Sequence, residues 1–197
     1  MARWIEPVTL QGTHVLIEPL DAGHRDEIVA AASDGELWKL WYTSVPAPQA
    51  AEGWIAAALK QRTEAGALPF VIRRANDRRL VGATRFFNVA AENRRLEIGH
   101  TFYAASVHRT PVNTETKLLL LTHAFESLGC IGVELRTHFM NQQSRRAIER
   151  LGAKLDGVLR SHQVMPDGSL RDTCVYSILA TEWPAVRNHL AFRLSRG

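Results

Sequence analysis

Cysteine is scarce in this chain of 197 residues, which contains only Cys130 and Cys174. Both lie in apolar, strand-like surroundings, so we expect two buried, reduced thiols rather than a disulfide, a metal site or a nucleophile. Hydrophobic runs are short as well: none reaches the ~18 apolar residues that would predict a membrane span. The segment Met1–Val8 also lacks the apolar core of a secretory signal. These absences favour a cytoplasmic protein without a membrane partner.

The motifs of several enzyme classes are missing. The chain contains no GxSxG, no HExxH, no paired CxxC and no Walker loop. Several histidines are scattered without the spacing of metal ligands: His108, His123, His138 and His162. We therefore expect no metal and no nucleophile for covalent catalysis. An enzyme of this sequence would transfer a group directly between two bound molecules.

Charge restricts the partners only weakly. The formal net charge of +4 favours anionic ligands, but a modest basic excess is also ordinary surface chemistry. No run of Lys and Arg and no interleaved aromatic stripe is present, so we expect no nucleic-acid partner. The length, with 46% hydrophobic and 22% charged residues, predicts one globular domain over residues 1–197.

Apolar periodicity and turn residues predict an α+β domain with a mixed sheet. Short connections predict an antiparallel meander of strands at 68–74, 80–89 and 96–103. The segment Leu96–Phe139 is a strand–helix–strand unit and predicts a parallel crossover. The other expected elements are an edge strand or hairpin at 8–20, helices at 21–32, 46–64, 113–128, after Asn141 and after Thr181, and a hairpin of 155–164 with 170–179.

A strand-to-helix junction begins at Arg109. The first N–H groups of a helix have no partner within it, and the helix dipole adds partial positive charge there. Backbone N–H groups over 109–114 and the charge of Arg109 could therefore converge on a phosphate. Pro111 can donate nothing, and taken alone the stretch favours an ordinary capped helix. The donors in question are those of Arg109, Thr110, Val112, Asn113 and Thr114.

Two further features could have either a functional or a purely structural role. Asn141 and Ser144 lie one helical turn apart and could face a ligand, but N-x-x-S is also a plain capping pattern, which is favoured when it is taken alone. Glu97 lies in a predicted strand, and Gly99 beside it indicates a bulge or a close backbone approach. Glu97 could be a general base or a solvated residue paired with Arg94 or Arg95.

Read together, these features resemble the GNAT superfamily of acetyl-CoA-dependent N-acetyltransferases, and within it the branch of ribosomal-protein N-terminal acetyltransferases. The resemblance spans about Val8 to Trp183, and it rests on the order and spacing of the motifs rather than on any one of them. Its most specific parts are Leu96–Gly99, Asn113–Leu120, Asn141 with Ser144 running to Ala153, and hairpin residues 156–160, 167–168 and 171–172. It implies a mixed, mostly antiparallel central sheet of about seven strands flanked by helices.

The resemblance implies acetyl-CoA as co-substrate. The pantetheine arm would add like a strand along Thr101, Phe102 and Tyr103, a small-molecule form of β-augmentation. Asn141 would bind the pantetheine amides. Many relatives place a tyrosine seven residues after this asparagine to protonate the thiolate. Ile148 occupies that position here, which leaves Ser144 as the nearest substitute.

The pyrophosphate loop departs from the family pattern, which is Q/R-x-x-G-x-G/A. His108 falls on the Gln/Arg position, Pro111 on the first glycine and Asn113 on the small residue, while Arg109 replaces a further glycine common in this branch. We therefore expect fewer backbone donors, and a larger share of the charge neutralisation from Arg109.

The implied reaction moves an acetyl group directly to a neutral primary amine. Free α-amino groups have a pKa of ~8 and lysine one of ~10.4, so a proton must be removed, and Glu97 is the candidate general base. A main-chain N–H of the splayed strand would stabilise the oxyanion. Trp38, Trp41 and Tyr42, with His100, would shape the acceptor cleft, although the aromatic rings could simply pack the core.

The acceptor and the assembly stay open. A small amine and a protein N-terminus both fit the resemblance. A GNAT-like CoA-binding or regulatory domain without catalysis is the alternative. The last hairpin and the final helix offer a surface for a possible homodimer.

Overall fold

One sheet of eight strands carries the fold, in the order β1-β2-β3-β4-β5-β6-β8-β7. The computed structural model describes residues 4–196, so the ends of the expected domain, Met1–Arg3 and Gly197, lie outside it. The strands are β1 Leu10–Gln11, β2 Val15–Pro19, β3 Leu68–Arg74, β4 Leu80–Ala90, β5 Arg95–Tyr103, β6 Gly132–His138, β7 Lys154–Val164 and β8 Leu170–Leu179. The α-helices are α1 Arg25–Ser33, α2 Ala51–Glu64, α3 Pro111–Thr122, α4 Gln142–Glu149 and α5 Trp183–Ser195.

The sheet is mostly antiparallel, with one parallel pair. Strands β5 and β6 run parallel and are joined through α3, which confirms the expected crossover and the mixed α+β sheet. The meander β3-β4-β5 and the hairpin β7-β8 are also confirmed. The eight strands of residues 4–196 agree with the expected sheet of about seven. The segment expected as one edge strand or hairpin at 8–20 folds as the short strand β1 paired with β2.

Some helix boundaries differ from the expected ones. The helix expected at 46–64 begins only at Ala51, after a short 3-10 turn at Pro48–Ala50, because the prolines of this segment have no N–H for a helical ladder. The helix expected at 113–128 already begins at Pro111, since a proline is tolerated at the first helical position. Its last part, His123–Ser127, widens into a π-helical turn.

Two apolar layers hold helices against opposite faces of the sheet. Helices α3 and α5 cover one face, into which Leu96 and Ile98 of β5 are buried. Helices α1 and α2 cover the other face, into which Phe102 is buried. Because side chains alternate along a strand, Glu97 points to the face of α1 and α2. The alternation in β5 therefore assigns the candidate base to one side of the molecule.

Two further expectations concern thiols and membranes. Cys130 and Cys174 are free and buried, as expected, and burial raises the pKa of the Cys130 thiol to about 11. None of the helices in residues 4–196 has both the length and the apolar character that a bilayer crossing requires.

A buried carboxylate fastens α3 to the edge of the sheet. Glu115 of α3 accepts hydrogen bonds from the backbone N–H groups of Thr13, His14 and Val15, with N···O distances of 2.9, 2.6 and 2.8 Å. Gly12 leaves room for this contact, because a Cβ atom there would collide with the Glu115 carboxylate. The turn between β1 and β2 thus closes around a side chain of the helix that begins at the candidate coenzyme loop.

We expect Glu115→Ala to lower the free energy of unfolding by about 3 kcal/mol, because three backbone N–H donors, one buried and two partly buried, would lose a charged acceptor. Denaturant unfolding followed by circular dichroism measures this. Glu64→Ala is the matched control, since Glu64 is exposed on α2 and only 3.8 Å from Lys60 in a surface pair, which is worth about 0.5 kcal/mol or less. Equal losses of unfolding free energy in the two variants would show that the Glu115 contacts stabilise the fold no more than a surface ion pair does.

Candidate active site

A gap opens in the middle of the sheet where β5 and β6 part. Their pairing consists of three residue pairs, the last being Glu97 with Glu134. Beyond that pair β5 continues to Tyr103 and β6 to His138, without further pairing between the two strands in the described residues. Each strand keeps its other neighbour, β4 or β8. The facing edges of β5 and β6 therefore expose main-chain groups to any ligand that enters the gap.

A β-bulge in β5 accompanies this separation. Gly99 pairs with Arg85 and Phe102 pairs with Ala83, so β5 holds one more residue than β4 between these pairs. The extra length falls at His100, which has a φ of 49°. A bulge bends its strand and increases the local twist. The bulge expected beside Gly99 is thus confirmed, and it bends β5 just beyond the last pair with β6.

Glu97 lies at the base of the gap and is only 4% exposed. Asn88 Nδ2 donates to Glu97 Oε2 over 2.8 Å, and Arg136 Nε lies 3.3 Å from the same oxygen. Burial raises the pKa of Glu97 to about 7, although Asn88 and Arg136 act in the opposite direction. The alternative of a solvated residue paired with Arg94 or Arg95 is therefore wrong. A carboxylate that titrates near neutrality can accept a proton from a substrate.

Aromatic residues from the α1–α2 connection reach the far side of the gap. The rings of Trp41 and Tyr42 lie 5.0 and 6.4 Å from that of His138 at the end of β6. Trp41 is 53% exposed, so it does not serve as core packing. Trp38, by contrast, packs against the core under α1 and α2. The structure therefore brings Trp41 and Tyr42 beside His138, while Trp38 packs against the core, which was the alternative interpretation of these rings.

The histidines at the site are held neutral. His100 meets the ring of Phe87 edge-on at 4.8 Å, and burial lowers its pKa to about 4. Burial also lowers the pKa of His138, whose Nδ1 accepts a hydrogen bond from the Met140 N–H over 3.1 Å. His138 Nε2 is buried and has no partner in the described residues. That nitrogen is a free hydrogen-bonding group beside the aromatic rings.

At positions 101–103 of β5, a ligand in the gap would meet the main chain rather than the side chains. Thr101 Oγ1 accepts from Lys117 Nζ over 3.0 Å and lies 2.8 Å from Thr84 Oγ1, so its side chain is already engaged. Burial lowers the pKa of this lysine to about 7. Phe102 is buried against Trp54 with ring centroids 6.1 Å apart. The backbone is left for pairing, as a strand-like ligand requires.

The loop before α3 ends in a helix cap, and one of its residues has a left-handed backbone conformation. Thr110 Oγ1 accepts from the Val112 N–H over 3.4 Å and donates to the Val107 carbonyl over 2.7 Å. Arg109 has a φ of 62°, the left-handed conformation that favours glycine. The His108 ring lies 3.0 Å from the Tyr103 carbonyl.

Groups suited to an anion remain free in this loop. The exposed Arg109 guanidinium makes no ion pair or hydrogen bond within residues 4–196. Asn113 lies in the first turn of α3, where helical N–H groups have no acceptor within the helix, whereas the Thr114 N–H is the first that can reach a helical acceptor, the Thr110 carbonyl. The loop therefore combines the expected cap with donors that suit a phosphate group.

The second predicted binding pair also serves as a helix cap. Asn141 Oδ1 accepts from the Ser144 N–H over 3.0 Å at the start of α4. The Asn141 side-chain nitrogen and the Ser144 hydroxyl make no hydrogen bond in the part of the chain that the structure describes. Ile148 is buried on the core side of α4. Both polar groups thus stay available at the end of β6, and no acid group stands at position 148.

Three residues at the site were not anticipated from the sequence as functional: Asn88, Arg136 and Arg171. Arg136 lies two residues after Glu134 in β6, so the two side chains share one face of the strand. Because Glu134 pairs with Glu97, that face is also the face of Glu97. Asn88 reaches Glu97 across the short β4–β5 connection, nine residues away in sequence, whereas Arg171 reaches the site only through the pairing of β8 with β6. Within residues 4–196, no three Asp, Glu, His or Cys side chains come close enough together to hold a metal ion.

Comparison with known proteins agrees with this geometry. A family model described as an acetyltransferase (GNAT) domain matches residues 14–154. A curated relative, the uncharacterized N-acetyltransferase YoaA of Bacillus subtilis (strain 168), is 29% identical over 108 residues, which span 55% of this chain and 60% of that protein.

Solved structures with the same fold cover almost the whole chain. A GCN5-related N-acetyltransferase from Brucella melitensis has a TM-score of 0.86 and 30% identity, over 96% of this chain and 86% of that one. RimJ of Mycobacterium smegmatis, solved in complex with CoA-disulfide, has a TM-score of 0.78 at 21% identity, over 95% of each chain, and shows the fold alone. The matched domain and the shared fold show that this chain belongs to the GNAT acetyltransferase family.

Proposed function

We propose that this protein transfers an acetyl group from acetyl-CoA to a primary amine, with Glu97 as the general base. The observation that carries the proposal is the end of strand pairing at Glu97 and Glu134, which puts a buried carboxylate at the base of a gap with free main-chain edges. Membership of the GNAT family implies acetyl-CoA as the acyl donor. The acyl donor in the gap and the base that accepts the amine proton would then lie at the same point of the sheet.

The coenzyme would enter along β5. Main-chain groups of Thr101, Phe102 and Tyr103 on the edge of β5 that faces the gap would pair with the pantetheine amides, and the Asn141 side-chain nitrogen would meet them from the side of β6. The diphosphate would lie at the loop of His108 to Thr114, against the Arg109 guanidinium and the first N–H groups of α3. The Ser144 hydroxyl would be close to the sulfur.

The reaction moves one proton at each end. Glu97 in its ionised form removes a proton from the ammonium, directly or through water, and the neutral amine then forms a C–N bond to the acetyl carbon. A main-chain N–H of β5 stabilises the oxyanion. The C–S bond breaks, the amide nitrogen releases its remaining excess proton, and the leaving thiolate takes up a proton through the Ser144 hydroxyl, so that CoA departs as the free thiol. Positioning of the two substrates supplies the remaining acceleration.

The acceptor would lie beside the aromatic residues of the α1–α2 connection. Trp41 and Tyr42 would form an apolar wall beside His138, and His100 would line the base of the cleft. Both a small amine and a protein N-terminus fit this description.

We also propose that the protein belongs to the ribosomal-protein branch of the family, that it is located in the cytoplasm, and that it forms a homodimer through the last hairpin and α5.

Binding and catalysis can be separated experimentally. Acetyl-CoA at a hundred times its Kd should add about 2.7 kcal/mol to the folded state and raise the melting temperature. A panel of amines and peptides, followed by release of the free thiol of CoA, would then reveal transfer. No thermal shift at millimolar acetyl-CoA, together with no thiol release, would favour a regulatory domain that neither binds nor reacts.

Arg109→Gly should raise the Kd for acetyl-CoA about tenfold, because one charge-assisted contact to the diphosphate is lost. Folding stability should not fall, since glycine prefers the left-handed backbone that Arg109 adopts. Isothermal titration and denaturant unfolding measure the two quantities. Arg78→Gly is the matched control, an exposed arginine with a φ of 61°. Unchanged affinity in the first variant would remove Arg109 from the site.

Glu97→Gln should lower kcat by about a hundredfold or more, while the Kd for acetyl-CoA stays near that of the wild type. The wild-type rate should rise with pH through about 7, because only the ionised carboxylate accepts a proton, and this limb should disappear in the variant. Glu134→Gln is the control, since Glu134 pairs with Arg136 and Arg95 and has no proposed proton to accept. A wild-type-like kcat for Glu97→Gln at neutral pH would reject the base.

A further inference from the structure

An arginine of the last hairpin points its charge into the acceptor side of the site. Arg171 begins the part of β8 that faces the end of β6, where Thr173 pairs with His138. Arg171 Nε donates to Thr173 Oγ1 over 3.0 Å, which folds the side chain back over the sheet. Its charge acts on the pKa values of Glu97, His100 and His138. Thr173 and His138 are paired and side chains two residues apart share a face, so Arg171 lies on the same face of the sheet as His138 and Glu97.

Arg171 has no carboxylate partner. Its two terminal nitrogens make no hydrogen bond within residues 4–196, and no Asp or Glu oxygen of that part of the chain lies within 4.0 Å of them. Asp172, its neighbour, turns the other way and binds Arg160 and the Ser161 N–H. Glu97 and Glu134 are taken by Arg136. A half-buried guanidinium with a free fork is suited to a planar anion.

A second, independent observation adds positive charge on the same face. Arg85 of β4 is 3% exposed, and Nη1 donates to Gln61 Oε1 over 2.6 Å, but its Nε is buried without a partner. No carboxylate of the described residues forms an ion pair with it, and burial lowers its pKa to about 10. Its charge reaches His100. Buried charges are normally paired, so an unpaired one beside a cleft marks a site for an opposite charge.

We propose that the acceptor is a primary amine that also carries a carboxylate, and that Arg171 binds this carboxylate while Glu97 faces the amine. Arg85 strengthens the attraction from below the cleft. One fork with two free nitrogens matches one carboxylate. A peptide N-terminus carries an amide in that place, so the arrangement disfavours it. This inference rests on the proposed acetyl transfer, whose acceptor it narrows to a class.

The test compares α-, β- and γ-amino acids with their carboxamides as acceptors for the full-length protein, together with a short peptide. Rates are corrected for the fraction of neutral amine. The acids should be acetylated with a kcat/KM about tenfold or more above that of their amides, the value expected for one charge-assisted pair. In Arg171→Gln this preference should vanish, mainly through KM, while the amides change little and the Kd for acetyl-CoA is kept.

Arg193→Gln removes the same charge from an exposed position on α5 and should leave the preference intact. Amides or peptides acetylated as well as the acids would overturn the inference and leave acetyl transfer standing. Equal weakening of acids and amides in Arg171→Gln would overturn it in the same way. A thermal shift with each amine in the presence of CoA gives a readout without turnover. Stabilisation by the acids alone, dependent on Arg171, would support the anion site even if no amine were acetylated.

Discussion

The structure depends on one interruption: the main-chain pairing of β5 and β6 stops at Glu97 and Glu134. Buried backbone groups are almost always hydrogen-bonded, so strands that part within a sheet need a partner for their exposed edges. Here β4 and β8 hold the outer edges of the two strands, and the bulge at His100 bends β5. The inner edges are left for a ligand that itself pairs like a strand.

The same interruption sets the electrostatics. Side chains that alternate along β5, β6 and β8 collect charged groups on the face of α1 and α2, where the sheet is only partly covered. Glu97 is buried there among arginines, and burial prevails over their attraction, so its pKa rises toward neutrality. Arg136 forms ion pairs with both Glu97 and Glu134, so neither carboxylate is left to pair with Arg171. An unpaired cation beside a proton acceptor would suit both halves of the carboxylate-bearing amine that we propose as the acceptor.

Much of this fold could be predicted from the sequence, because local signals agree with it. The short turns predicted the meander, the strand–helix–strand unit predicted the parallel pair, and Gly99 predicted the bulge. Signals that depend on one residue type were also sound: Asn141 caps α4 through the Ser144 N–H. The two-residue strand β1 was too short to show a period of its own.

The site was harder to predict, for a physical reason. The partners of Glu97 come from the bulged end of β4, from β6 and from the last hairpin. For the last two, the distance to Glu97 depends on register between strands far apart in sequence. Asn88 has a φ of 48°, a backbone state that no pattern of apolar residues reveals. Burial, which raises the pKa of Glu97, is a property of the packed molecule. A carboxylate in a strand therefore left two interpretations open until its surroundings were known.

The most direct test of the proposed site is a crystal structure of the protein with CoA. We expect the pantetheine arm in the gap between β5 and β6, hydrogen-bonded to the main chain at positions 101–103, with the diphosphate at Arg109 and the sulfur on the side of Glu97 and Ser144. CoA bound elsewhere on the molecule would contradict this assignment. So would strands β5 and β6 that close and pair beyond Glu97, because no gap would then remain for the coenzyme.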